Sequence, residues 1–120
     1  MRDRINLAEK LALLPGEYQP AIVGYMNDYK LVVVKTKGEF VWHKHDETDE
    51  LFLVVAGELT IQLRDRDVVV GPGELFVVPR GVEHCPKAEA EVSLMLFEPA
   101  GTVNTGTAGG ELTVPDPERI

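Results

Sequence analysis

Between Ala21 and Glu98 the chain offers no gap long enough for a crossover helix. Short runs rich in Val, Leu, Ile and Phe follow one another: Ala21–Met26, Tyr29–Thr36, Glu39–Lys44, Glu50–Val55, Glu58–Arg64, Asp67–Val70, Glu74–Val78, His84–Lys87 and Glu91–Glu98. These residue types suit a pleated, half-buried surface. Turn signals separate the runs, among them Asn27-Asp28, Lys37-Gly38, Ala56-Gly57, Gly71-Pro72-Gly73 and Pro79-Arg80-Gly81. A parallel pair would need a connection of about a dozen residues or more. The pattern therefore predicts an all-β chain, an antiparallel sandwich or barrel.

The two ends have a different character. Asn6 followed by Glu9 reads as a helix start, and Leu7, Leu11 and Leu14 give one apolar stripe that Pro15-Gly16 ends. A helix this short must dock on something to persist. From Pro99 to Ile120 glycine and proline dominate, and only Glu111–Val114 reads as extended. That tail is expected to be mostly irregular, either wrapping the barrel or mobile. The expected organisation is a helical extension over residues 1–20, a barrel over 21–98 and a tail over 99–120. With 120 residues in all, one domain is expected, burying roughly 65% of its unfolded surface.

Charge narrows the partners. The balance of 12 basic against 20 acidic residues leaves −8, which disfavours nucleic acid or an anionic membrane surface as partner. The longest apolar run, Leu51 to Ala56, is far short of a membrane span. Arg2 and Arg4 are not followed by an apolar stretch, so no secretory signal is read there. The single cysteine, Cys85, allows no intrachain disulfide, which fits a cytoplasmic location. Ser93 is the only serine, without an acid–base motif near it, and no lysine-bearing phosphate loop is present.

The histidines carry the chemistry. On an extended segment His43 and His45 point the same way, with Phe40, Trp42 and Lys44 on the other side. Glu50 opens the next run after a short acidic loop, so an antiparallel turn returns its carboxylate toward the imidazoles. Asp49 is its rival, within similar reach. A closing barrel can bring His84 across to them. Three imidazoles and a carboxylate suit a divalent ion such as Fe, Mn, Co, Ni, Cu or Zn, with coordination positions left for a small molecule.

The stretches GEFVWHKHDETDELFLVVAG and GELFVVPRGVEH resemble the two glycine-framed motifs of the cupin family, and FEPAGTVNTG is similar to the end of some small single-domain members. The resemblance implies a cupin-type antiparallel β-barrel (double-stranded β-helix or jelly roll). It implies metal ligation by His43, His45, Glu50 and His84, and a homodimer. It departs from the family pattern at Ala88, where the second motif often has asparagine. The functions it implies are a metal-dependent enzyme on a small organic molecule (a dioxygenase or an isomerase), a metal-bearing binding or sensor module, or a structural barrel. Fold alone does not choose among them.

Of the remaining residues, Cys85 reads as a small buried hydrophobe, and Asp46 and Glu47 as a solvated loop. Phe40 and Trp42 read as packing on the outer side against the helix or a second subunit, Tyr18 as half-buried, and Arg64 as a turn residue.

Overall fold

The computed structural model describes residues 3–120; Met1 and Arg2, the latter part of the reading of the N-terminus, lie outside the described residues. The helix α1 spans Leu7–Ala12, and the Asn6 side chain accepts from the Glu9 amide at 3.0 Å, as the sequence suggested. Leu11 and Leu14 pack on Ala21, Val23 and Val33, so α1 covers the outer face of the first two strands. Trp42 and Phe40, expected to pack against the helix or a second subunit, are not in that cluster.

The strands are β1 (Ala21–Met26), β2 (Tyr29–Glu39), β3 (Glu50–Ala56), β4 (Leu59–Leu63), β5 (Asp67–Val70), β6 (Leu75–Val78), β7 (His84–Pro99) and β8 (Glu118–Arg119). They form one mostly antiparallel, closed arrangement in the order β5-β4-β7-β2-β1-β8, with β3 bridging β6 and β7. The long β7 organises it. One stretch pairs with β4 over His84–Lys87, another with β3 up to Phe97, and β2 runs along it from Tyr29 to Glu39. Val32, Val34, Phe52, Val54, Leu94 and Leu96 point inward and fill the core. Val54, Leu59 and Ile61 are fully buried.

Three expectations are corrected. Lys37-Gly38 is not a turn: β2 continues through it with a register shift between Thr36 and Gly38, where Gly38 sits at φ +78°. Glu39–Lys44 is not a strand; the chain leaves the sheet after Glu39, keeping only the Phe40 amide's bond to the Pro86 carbonyl and the bridge of His43 to His84. The last two runs are one strand, because residues 88–90, which separate them, remain extended within β7 although Glu89 and Ala90 are exposed.

The tail wraps the barrel. Glu118–Arg119, rather than Glu111–Val114, is extended, pairing in parallel with Ala21–Ile22. The Asn104 side chain donates to the Leu112 carbonyl and accepts from the Val114 amide, pinning the intervening loop. Thr105 is fully buried, with its hydroxyl 2.6 Å from that of Thr113.

Candidate metal centre

His43, His45, Glu50 and His84 come together although they belong to three separate parts of the chain. The bridge between His43 and His84 sets the first pair: each backbone amide donates to the other's carbonyl, at 3.0 and 2.9 Å. Glu50 is the first residue of β3 and faces inward, two residues before Phe52. His45 is held by its carbonyl, which accepts from the Gly81 amide at 2.8 Å, within the glycine turn that precedes His84. All four residues are buried, and one ligand atom from each lies within 4.8 Å of the others.

Hydrogen bonding fixes two of the rings. Nδ1 of His43 lies 2.9 Å from the Val41 carbonyl, and Nδ1 of His84 lies 2.9 Å from the Val82 carbonyl. A carbonyl only accepts, so each Nδ1 carries a proton, and each ring turns its Nε2 inward. Those nitrogens face the carboxylate: Glu50 Oε1 is 3.3 Å from His84 Nε2 and 4.0 Å from His43 Nε2. The other oxygen, Oε2, is 2.6 Å from His45 Nε2. His43 Nε2 is fully buried without a hydrogen-bond partner.

The electrostatics follow from burial. Burial, with neighbouring His84, lowers the His43 pKa to about 4, so the ring is neutral near pH 7. Burial also opposes charge on His45, but the hydrogen bond and charge of Glu50 outweigh it, and that pKa rises. For Glu50 burial acts upward, yet hydrogen bonds from His45 and His84 prevail and hold the carboxyl down at about 2. The site thus combines an ionised carboxylate with inward-facing imidazole nitrogens, a donor set that a cation would satisfy.

The rival carboxylate is elsewhere. Asp49 is exposed, and its Oδ1 accepts from the Arg80 amide at 2.9 Å. Cys85 is fully buried outside the group, its thiol raised by burial to about 11.

Several neighbours of the site were not legible in the sequence. Phe40 does not turn away from the histidines: its ring meets that of His43 edge-on, with centroids 5.5 Å apart. The alternation that predicted otherwise fails because residues 40–44 are not a strand. Tyr18 stacks on Phe40 and donates its hydroxyl to the Lys37 carbonyl. On the opposite side Arg64 lies 3.8 Å above the Trp42 ring and pairs with Glu83. Glu98 is buried beside Lys30, 3.6 Å from its Nζ, which also donates to the Thr102 carbonyl. Gly106 closes against Lys44 and His45: a Cβ there would collide with the Lys44 carbonyl oxygen and lie 3.2 Å from His45 Nδ1.

A closed β-barrel with a buried His₃Glu group defines a small barrel protein whose four-residue centre could bind a metal. The family model described as "Cupin domain" matches residues 30–98, and the chain belongs to the cupin family. A solved cupin-2 domain containing protein from Shewanella frigidimarina NCIMB 400 is 44% identical, covering 79% of this chain and 93% of that one with a TM-score of 0.78. KdgF from Halomonas sp. is 30% identical, covering 72% of this chain and 83% of that chain with a TM-score of 0.60. The uncharacterized protein YdbB of Bacillus subtilis (strain 168) is 33% identical over 63 residues, 52% of this chain and 56% of that protein. The chain thus spans about half the length of that curated relative. Among the described residues no helix is long and apolar enough to cross a membrane.

Proposed function

We propose that this cupin binds one divalent first-row transition ion (Fe, Mn, Co, Ni, Cu or Zn) through His43, His45, Glu50 and His84, and uses it to hold a small organic molecule. One observation carries the reading. The buried His43 Nε2 has no hydrogen-bond partner, while its lone pair faces the Glu50 carboxylate. A buried acceptor facing an anion is costly, and a shared cation removes the cost.

The protein's part is to set the donors. The Val41 and Val82 carbonyls orient two rings and raise the basicity of their inward nitrogens. Glu50 supplies one negative charge, leaving a residual positive charge that favours an oxygen donor from outside. When bound, the ion would supply Lewis-acid or redox chemistry. Oxygenation and isomerisation are the activities this reading favours. It also has the protein working in the cytoplasm as a homodimer. The reduced, buried Cys85 and the exposed Tyr25, Met26 and Tyr29 at the β1–β2 hairpin support those two points.

The test is elemental analysis after titration with each ion. One equivalent per chain is expected, lost in His43→Ala and in Glu50→Gln. Wild-type protein that takes up no ion under any condition would defeat the reading.

A further inference from the structure

A cavity of about 60 Å³ opens on His43 and Glu50. Drug-sized ligands occupy pockets of roughly 300–1,000 Å³, so this one has room for a body of only a few heavy atoms. Its walls are apolar: Val34, Phe52, Leu94 and Leu96 from the barrel, and Phe40 from the segment before His43.

Polar groups also line the cavity, and nearly all are engaged. The Tyr18 hydroxyl donates to the Lys37 carbonyl. The Asn104 amide is held from both sides, by the Leu112 carbonyl and the Val114 amide. His43 and Glu50 belong to the metal centre. The remaining polar side chain of the lining is Thr36, with one hydroxyl. A ligand bearing several hydroxyls would bury them against aliphatic carbon and lose their hydration without replacement.

We infer that the molecule held here has an oxygen-donor head for the ion and a compact apolar body, and is not a sugar or a polyhydroxylated acid. This rests on the metal-binding reading above and adds the class of ligand. An apolar body gains from burial against these walls, while the head reaches the ion from the His43 and Glu50 side.

The experiment uses full-length protein loaded with Co(II), whose visible absorption reports ligands entering the coordination shell. Two probes share an α-hydroxycarboxylate head and are similar in size. α-Hydroxyisovalerate has a branched aliphatic body, and threonate a hydroxylated one. The expected result is at least tenfold tighter binding of α-hydroxyisovalerate. In Val34→Thr, a near-isosteric change that adds a hydroxyl to the wall, the preference should narrow. Equal affinities, a preference for threonate, or a Co(II)-loaded protein whose spectrum neither probe changes would overturn the inference while leaving the metal centre intact. Failure to take up Co(II) is a different result: it removes the centre itself, and the inference with it.

Discussion

His43 and His84 hold each other by their backbones, amide to carbonyl in both directions, and their rings lie 4.2 Å apart. Residues separated by half the barrel are thereby fixed as one unit. The pairing matters because the segment carrying His43 has left the sheet: besides the Phe40 amide, which donates to the Pro86 carbonyl, this bridge is what registers it against β7. With the Gly81 amide holding the His45 carbonyl, this non-local contact sets the centre, and the side chains inherit its precision.

Replacing His84 by alanine removes one inward nitrogen and leaves Glu50 Oε1 without its 3.3 Å neighbour. Metal affinity should fall by at least a hundredfold, since loss even of a supporting partner commonly costs 10–100-fold. Stability of the metal-free protein should also fall, by roughly 2–4 kcal/mol for a large-to-small change at a fully buried position. Metal titration and denaturant unfolding measure the two effects separately. An alanine variant that retains wild-type metal affinity would exclude His84 from the donor set.

Gly106 sits at φ +54°, and an added Cβ would strike the Lys44 carbonyl oxygen, a backbone atom that cannot swing aside. Gly106→Ala must therefore push the tail away from the Lys44–His45 segment, to which Thr107 also donates. The expected cost is about 1–3 kcal/mol, from steric conflict and positive φ together. Because Nδ1 of His45 lies only 3.2 Å from that Cβ position, the bound ion should also leave faster, which chelator competition would detect. Unchanged stability and unchanged release would mean that the tail does not brace the site.

Burial decides what the lone thiol can do. Cys85 is fully buried, and burial lifts its pKa to about 11, so almost no thiolate exists near neutral pH. Folded protein should react with a thiol-selective disulfide reagent at least a hundredfold more slowly than protein in denaturant. Comparable rates in the two states would place the sulfur at the surface.

The sequence was informative where local chemistry decides. The helix start at Asn6, the strand runs through β1 to β6 and the convergence of His43, His45, Glu50 and His84 follow from periodicity, turn residues and a family likeness. It failed where a non-local contact overrides local pattern. Alternation along Phe40–Lys44 wrongly put Phe40 opposite the histidines, because the segment is held at isolated points rather than by a ladder. Residues 88–90 looked like a break, but pairing on both sides keeps β7 continuous. Glu98 gave no local signal at all. Its burial comes from facing inward beside Lys30, a register visible only once β2 and β7 are paired.

That buried carboxyl gives the molecule a pH signature. Burial, reinforced by the negative charge of Glu50, pushes the Glu98 pKa from 4.5 up to about 7, against the pull of Lys30. The folded state therefore holds this proton more tightly than the unfolded state does. With more protons bound when folded, stability must fall as pH rises between about 4.5 and 7, then level off. The loss is on the order of 3 kcal/mol. His43 acts oppositely in part of the same window. Its pKa is lowered to about 4, so the metal-free protein loses stability as pH drops from 6.5 toward that value. The measurement must therefore be a difference. Gln in place of Glu98 keeps an oxygen for Lys30 but does not titrate, so Glu98→Gln should become steadily more stable relative to wild type from pH 4.5 to 7. Urea unfolding of both metal-free proteins across that range gives the result, and parallel stability curves would show that Glu98 does not hold its proton in the folded state.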